Sequence, residues 1–262
     1  MSTVVAVMLG VLQGLTEFLP VSSSGHLALA QMLIPGFSQP GLLLDLALHV
    51  GTMVSVVALE WSRLAEALRK RYAGKLAGLL VIGTGATALV AFPLRPWAEA
   101  AFSQSLWIAT GLAVSGLLLL LSRRFAPGEE TPPSWRQAVV VGLAQGLAVF
   151  PGLSRSGTTI SVALAAGMGR RWSADFSFLL SLPAVAGAAL VEVVRQREAL
   201  AAEGPSLVVP CLLGGLAAAL AGLLAITLVR RLLHVGRFAL FAWYLFPLCG
   251  VVVVGKFLGW WP

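Results

Sequence analysis

The stretch "QGLTEFLPVSSSG" at residues 13–25 occurs a second time, in altered form, as "QGLAVFPGLSRSG" at residues 145–157. An offset of 132 places residues 2–25 on residues 134–157 without a gap, and 11 of the 24 aligned positions are identical. Similarity at a fixed offset within one chain indicates a duplicated structural unit. The sequence therefore predicts two related halves, over about residues 2–122 and about residues 134–258.

The composition around these segments is that of an integral membrane protein. Hydrophobic residues make up 58% of the 262 residues and charged residues only 11%, whereas soluble domains carry about 25% charged residues. The net charge is +7, but the basic residues cluster between apolar runs, as membrane topology requires, so we expect no nucleic-acid partner. The first ten residues carry no basic side chain, so we also expect no removable signal peptide.

We predict a single polytopic membrane domain over residues 1–262. Its apolar runs have the length of about 20 residues that crosses a bilayer as a helix, and they lie at residues 41–60, 76–94, 104–122, 174–194, 207–229 and 238–258. Cys211 and Cys249 lie alone within such runs, which indicates small core residues. For His49 we expect a structural role, and for Asp45 and Asp175 structural or gating roles.

The repeated segments are too short and too interrupted to cross a membrane. Each has about 15 apolar residues, a break rich in Pro, Gly and Ser, and a second apolar stretch at residues 27–35 or 158–169. This pattern predicts re-entrant hairpins of two half-helices at residues 2–35 and 134–169. The predicted fold is an all-α integral membrane protein with six transmembrane helices and two such hairpins, in an inverted-topology repeat.

The orientation follows from the number of spans and from the charges. Three predicted spans separate the two repeated segments, so the second copy enters the membrane from the opposite side. If the loop with Arg69 is cytoplasmic, thirteen of the 18 Lys and Arg residues lie inside and four lie outside, with Arg155 assigned to neither side. We therefore expect both termini outside, and the two hairpin tips meeting near the bilayer midplane.

The two tips differ in their reactive side chains. Glu17, Ser23 and His26 form an acid–base set in the first tip, and Arg155 brings a cation to the second. Both tips open a half-helix whose N-terminal N–H groups attract anions. We predict phosphate binding by hydroxyl and guanidinium groups of both tips, at Ser22, Ser24, Ser154, Arg155, Ser156, Thr158 and Thr159.

Plainer roles remain open for the same residues. Arg155 could form a buried ion pair with Glu17 that only joins the tips. Ser22 and Ser154 occupy equivalent positions and could cap the half-helices, a role that uses the same hydrogen bonds as phosphate binding. His26 could be a passive hydrogen-bonded residue.

These residues carry a resemblance. "QGLTEFLPVSSSGHL" at 13–27 and "PGLSRSGTTISVAL" at 151–164 closely resemble the two signature segments of the bacterial undecaprenyl-diphosphatase family, also called bacitracin-resistance proteins, and "DFSFLLSLP" at 175–183 fits as well. The resemblance implies hydrolysis of undecaprenyl diphosphate to undecaprenyl phosphate, which recycles the lipid carrier for cell-wall synthesis. It also implies the bacterial cytoplasmic membrane, a site opening to the periplasmic side, and a divalent cation, Mg²⁺ or Ca²⁺.

The resemblance extends to individual residues. Ser23 and His26 match the family's functional serine and histidine, and Ser154, Arg155 and Thr159 match its phosphate-binding positions. The acidic motif begins with Gln13 where many members carry glutamate, so Glu17 is the main candidate metal ligand and Gln13 a weak one.

The sequence also suggests a nucleophile, an alternative function and partners. For the nucleophile we favour Ser23, activated by His26 or Glu17, with attack by His26 or by water left open. The alternative function is a secondary transporter or lipid-phosphate flippase that uses the same inverted-repeat site. The partners expected are a polyprenyl diphosphate and the membrane, and a homodimer is compatible with the sequence.

Overall fold

The computed structural model describes residues 2–34, 42–69, 73–125, 127–195, 197 and 207–261. All regular secondary structure in these ranges is helical, which confirms the predicted all-α fold. The described ranges contain the α-helices α1 Thr3–Phe18, α2 Ser23–Leu33, α3 Leu42–Arg69, α4 Ala73–Phe102, α5 Ser105–Ser122, α6 Trp135–Leu147, α7 Arg155–Ala165, α8 Arg170–Arg195, α9 Val208–His234 and α10 Ala242–Phe257. A short 3₁₀ helix, Phe238–Phe241, precedes α10.

The six predicted spans are confirmed, although their bounds differ. Six helical segments of the described chain are long and apolar enough to cross a membrane, at Leu43–Ser62, Gly74–Phe102, Ser105–Ser122, Arg170–Arg195, Val208–His234 and Phe238–Phe257. Helix α4 shows the largest difference, because it continues past the predicted end at residue 94 with Pro93 and Pro96 inside it. Neighbouring helices satisfy the backbone groups that proline frees within a membrane helix, so proline does not end the helix there.

The four remaining helices are short and pack in pairs. Helix α1 has 16 residues, which gives a length of about 24 Å, less than the thickness of a hydrocarbon core. Helices α2 and α7 have 11 residues each and α6 has 13. Helix α1 lies against α2, and α6 lies against α7. These pairs fit the two predicted hairpins, whose re-entrant course in the membrane stays a prediction.

The repeated segments occupy equivalent places in the fold. Helix α1 packs along α9 of the other half, and its counterpart α6 packs along α4. The contacts are close because Gly10 and Gly14 face backbone carbonyls of α9, and their counterparts Gly142 and Gly146 face carbonyls of α4. A Cβ atom on Gly14 would lie 2.3 Å from the carbonyl oxygen of Ala218. Small residues of this kind let membrane helices approach without a gap.

Two ion pairs also link the halves, and their glutamates lie at equivalent positions. Glu60 accepts a hydrogen bond from Arg230, which joins α3 to α9. Glu192, which lies 132 residues after Glu60, accepts one from Arg95 at 2.7 Å and joins α8 to α4. Arg230 also donates to Asp175 at 3.0 Å, so Asp175 takes part in the structural network that we expected of it.

Helices α5 and α10 pack side by side and contribute to the main hydrophobic cluster. Its fully buried members include Phe18, Ile108, Ile160 and Phe178, and the Phe18 and Phe178 rings meet edge to face with centroids 5.7 Å apart. Cys211 is buried in a second apolar cluster, and Cys249 is partly buried against the first, in keeping with the core role predicted for them.

Candidate active site

The break after α1 and the break before α7 are in direct contact. Ser156 of the second tip donates a hydrogen bond to the carbonyl oxygen of Leu19 in the first, at 3.2 Å. Gly25 faces the backbone of Gly152 so closely that a Cβ atom there would lie 3.1 Å from the Gly152 Cα. The structure therefore brings the two predicted tips together, as the inverted-repeat argument expected.

Glu17 is the point where the reactive groups of both tips converge. Its carboxylate is buried and accepts a hydrogen bond from Ser23 Oγ at 2.5 Å and another from Gln13 Nε2 at 2.9 Å, both at Oε2. The other oxygen, Oε1, accepts from a terminal nitrogen of Arg155 at 2.5 Å. One carboxylate thus binds a hydroxyl from its own hairpin and a guanidinium from the other.

Serine side chains cap both half-helices in the same way. Ser22 Oγ accepts from the Gly25 N–H at 3.3 Å and lies 3.3 Å from Ser24 Oγ. The equivalent Ser154 Oγ accepts from the Gly157 N–H at 3.1 Å and lies 3.3 Å from Ser156 Oγ. Capping, one of the two roles left open for Ser22 and Ser154, is therefore present in this structure, and phosphate binding by these serines stays a prediction.

The two caps differ in their backbone. Ser22 has a φ of +69°, a left-handed conformation that a non-glycine residue rarely adopts, whereas Ser154 has a φ of −72°. In the second tip the positive φ falls on Gly152 instead, at +83°. Backbone strain of this kind tends to persist where a site requires it. The strained tip is the one with the acid–base set.

His26 has hydrogen-bond partners on both ring nitrogens. Its Nδ1 lies 2.8 Å from the carbonyl oxygen of Ser22, and its Nε2 lies 2.7 Å from the hydroxyl of Tyr244 on α10. The two rings are nearly parallel, with an interplanar angle of 13° and centroids 5.7 Å apart. Sequence reasoning missed Tyr244, which is 218 residues from His26 in an apolar span and belongs to no motif.

The predicted catalytic and phosphate-binding residues differ in how far their side chains are exposed. Ser23, Ser24, His26 and Arg155 are partly exposed, whereas Ser22, Ser154, Ser156, Thr158 and Thr159 are buried. Thr159 Oγ1 bonds to the Arg155 carbonyl oxygen at 2.8 Å and to Ser177 Oγ at 2.5 Å, which anchors α7 to α8. The Thr158 hydroxyl is buried and has no hydrogen-bond partner among the described residues.

The site offers few ligands for a metal ion. Within the ranges that the structure describes, no three His, Cys, Asp or Glu side chains are grouped as a metal site would require. The Oε1 atom of Gln13 is buried without a hydrogen-bond partner in those ranges, beside the Glu17 carboxylate. Amide and carboxylate oxygens suit a hard cation, and Mg²⁺ commonly takes its other ligands from water and substrate phosphates. These residues therefore fit a cation that binds together with a diphosphate.

Comparison with known families places these residues in a recognised context. The family model described as "Bacitracin resistance protein BacA" matches residues 6–252, which include both tips and the α10 segment with Tyr244. The chain belongs to the BacA family. This confirms the family that the two signature segments indicated.

Curated BacA-like relatives match over nearly their whole length. The undecaprenyl-diphosphatase of Carboxydothermus hydrogenoformans is 38% identical, over 98% of this chain and 100% of its own. The undecaprenyl-diphosphatase of Syntrophotalea carbinolica is 40% identical, over 96% of this chain and 98% of its own. A protein of the same name from Methanosphaera stadtmanae is 34% identical, over 95% and 96%. The similarity to BacA-family proteins therefore extends over nearly the whole chain.

Proposed function

We propose that this protein hydrolyses undecaprenyl diphosphate to undecaprenyl phosphate and inorganic phosphate. One observation carries the proposal: Ser23 donates to a buried carboxylate that also binds Arg155 from the opposite hairpin. A hydroxyl, a carboxylate and a guanidinium thus lie together where the two tips meet. Its relatives in the BacA family carry the name undecaprenyl-diphosphatase.

Ser23 is the nucleophile in this proposal, and Glu17 is its base. As Ser23 Oγ attacks the terminal phosphorus, its proton passes to Glu17 Oε2, to which it already donates. The bond from that phosphorus to the bridging oxygen breaks, and undecaprenyl phosphate leaves with the electron pair. Attack on the terminal phosphorus keeps the lipid phosphate intact, as the proposed products require.

Arg155 and the helix ends stabilise the charge that develops on the phosphoryl group. The contact with Glu17 uses one terminal nitrogen of a guanidinium that carries five N–H donors, so other donors can reach phosphate oxygens. In the first turns of α2 and α7, the Gly25 and Gly157 N–H groups donate to the serine caps, and the N–H groups before them add to the same anion site in this proposal. Ser24, which is partly exposed, is the hydroxyl best placed to assist, since the other predicted hydroxyl ligands are buried.

A water molecule completes the turnover. It attacks the phosphoserine, its proton is taken up on the His26 side of the site, and Glu17 returns the first proton to Ser23 Oγ as that oxygen leaves. A cation held by Glu17 and Gln13 together with the diphosphate would neutralise phosphate charge. Each protein proton is restored once His26 releases its proton to solvent.

The cellular setting follows from the charge distribution and the family. We propose that the protein lies in the bacterial cytoplasmic membrane with both termini outside and the site opening to the outer side. There it would recycle the carrier for cell-wall synthesis and confer bacitracin resistance. A homodimer stays a prediction, which detergent-corrected light scattering of the purified protein would test.

Phosphate release tests the proposal. Purified protein in detergent should release inorganic phosphate from undecaprenyl diphosphate and none from undecaprenyl phosphate. The transporter alternative gives a different result: no phosphate release in detergent, but movement of the lipid across the bilayer of protein-containing vesicles. That result would overturn the proposed hydrolysis.

A further inference from the structure

The tautomer of His26 can be assigned from its two neighbours. A carbonyl oxygen only accepts hydrogen bonds, so Nδ1, which lies 2.8 Å from the Ser22 carbonyl oxygen, carries a proton. In the neutral ring Nε2 then has the lone pair, and it accepts from the Tyr244 hydroxyl at 2.7 Å. Both ring nitrogens are therefore occupied by protein groups.

This pairing joins the two halves of the molecule and has no counterpart. The positions 132 residues away from His26 and Tyr244 are Thr158 and Leu112, which cannot form such a bond. The caps, the glycine contacts and the glutamates of the linking ion pairs, in contrast, recur at that offset. Features that the scaffold needs appear twice. The His26–Tyr244 pair appears once, and its histidine lies in the tip that carries Glu17 and Ser23.

The Tyr244 hydroxyl is the partner of the His26 nitrogen that would accept a proton. Tyr244 is about half exposed, with a relative exposure of 48%, and His26 is only partly exposed. Because Nδ1 is bound to a backbone carbonyl and Nε2 to Tyr244, a proton reaches the imidazole only through the phenol oxygen unless one of these bonds breaks. A hydroxyl can donate one proton while it accepts another, so this one is able to relay.

We propose that Tyr244 is a further catalytic residue, whose hydroxyl relays a proton from the attacking water to His26. The water O–H bond breaks as its oxygen bonds to phosphorus, and that proton binds Tyr244 Oη. The original hydroxyl proton of Tyr244 moves to His26 Nε2, so tyrosine stays neutral and histidine becomes the imidazolium. The proposal rests on the hydrolysis proposed above.

A double-mutant cycle tests the relay. The variants are Tyr244→Phe, which keeps the ring and removes the hydroxyl, His26→Ala, and the two combined. Trp243→Phe is the matched control, because Trp243 precedes Tyr244 on α10 and its side chain is largely exposed. For each protein, phosphate release from undecaprenyl diphosphate gives kcat and KM, and thermal unfolding in detergent reports folding.

The relay predicts a specific pattern. Tyr244→Phe lowers kcat on the order of 10²-fold, the range in which a positioned acid–base group contributes, and leaves KM within about twofold. The double variant is no slower than His26→Ala alone, because both changes interrupt one proton path. Trp243→Phe keeps the wild-type rate.

Other outcomes overturn the relay. It is wrong if Tyr244→Phe keeps kcat within about twofold, or if the loss in the double variant is the product of the two single losses, as expected for independent structural effects. If the wild-type protein releases no phosphate at all, the proposed hydrolysis itself fails. That result is distinguishable from failure of the relay, which leaves wild-type hydrolysis intact.

Discussion

At the scale of single residues, the site depends on how one buried carboxylate shares its oxygens. Glu17 Oε1 accepts a hydrogen bond from Arg155, and Oε2 accepts hydrogen bonds from Ser23 and Gln13. The guanidinium offsets the cost of burying this carboxylate, because an unpaired buried charge is costly. The ion pair left open by the sequence is therefore present, and it holds Glu17, the proposed base, while Ser23, the proposed nucleophile, donates to the same carboxylate.

Replacement of Arg155 by lysine tests whether the site needs only a positive charge or also the planar shape of the guanidinium. We expect Arg155→Lys to reduce phosphate release by roughly 10²–10³-fold, because lysine keeps the charge beside Glu17 but loses the planar fork that binds two phosphoryl oxygens. Thermal unfolding in detergent should change little, whereas Arg155→Ala should also destabilise the fold by leaving Glu17 unpaired. If Arg155→Lys hydrolyses substrate within a few-fold of the wild-type rate, Arg155 is only a structural charge.

Gln13 allows a test of the cation. Its amide nitrogen donates a hydrogen bond to Glu17. An ionised glutamate in its place has no proton to donate and would repel the Glu17 carboxylate. Without added cation, we expect Gln13→Glu to hydrolyse substrate more slowly than the wild-type protein. Low concentrations of Mg²⁺ should restore its rate, because two adjacent carboxylates bind the ion more tightly than one. The measurement is phosphate release against Mg²⁺ concentration. Superimposable curves for the two proteins would mean that Gln13 has no part in cation binding.

The reactive residues of the tips could be predicted from the sequence because the repeat allows one tip to be compared with the other. Alignment of the two tips singled out Glu17, Ser23, His26 and Arg155 as departures from a shared scaffold. Tyr244 could not be found in that way, because it lies in an apolar span and reaches His26 only through the tertiary packing of α10 beside α5. Local spacing contains no information on such a long-range contact.

At the scale of helices, the hairpins are set by their caps and by glycine. The serine caps fix where α2 and α7 begin, at Ser23 and Arg155, which lie 132 residues apart. Glycines let α1 and α6 lie directly on the backbones of α9 and α4. The repeat predicted the hairpin helices well, whereas hydropathy underestimated α4, because a helix can continue past the apolar stretch that crosses the bilayer.

The glycine contacts predict opposite effects for one substitution at two positions. Gly14→Ala places a Cβ atom 2.3 Å from the Ala218 carbonyl oxygen, and we expect a loss of stability of about 1–3 kcal/mol or more from overpacking. Gly85→Ala on α4 is the matched control, since a Cβ atom there has no neighbour within 4 Å and alanine favours helix. The measurement is the thermal unfolding temperature of Gly14→Ala and Gly85→Ala in detergent, each compared with the wild-type protein. Equal stability of the two variants would contradict the packing described for α1.

At the scale of the whole molecule, two similar halves meet so that each supplies part of one site. The ion pairs Glu60–Arg230 and Glu192–Arg95 link spans of opposite halves, and their glutamates lie at equivalent positions. The order of helices was predictable because hydropathy and the repeat are both long-range patterns in the sequence. Orientation relative to the membrane rests on the charges alone and stays a prediction.

Labelling of cysteines at the two ends of α5 tests that orientation. Ser103 and Arg124 are exposed and flank this helix, Ser105–Ser122. In a background without Cys211 and Cys249, we expect Ser103→Cys to react with an impermeant thiol reagent in intact cells, and Arg124→Cys to react only after the cells are opened. The reverse pattern would contradict the outward-facing site and the placement of both termini outside.

The most direct test of the central claim, that the two hairpin tips form one hydrolytic site, is the rate of phosphate release from undecaprenyl diphosphate by Ser23→Ala. This change removes the proposed nucleophile and leaves the Glu17–Arg155 pair in place, and Ser103→Ala is the control at an exposed serine outside the tips. We predict a loss on the order of 10³-fold or more for Ser23→Ala with unchanged thermal unfolding, and the wild-type rate for the control. Hydrolysis by Ser23→Ala within a few-fold of the wild-type rate would contradict the account.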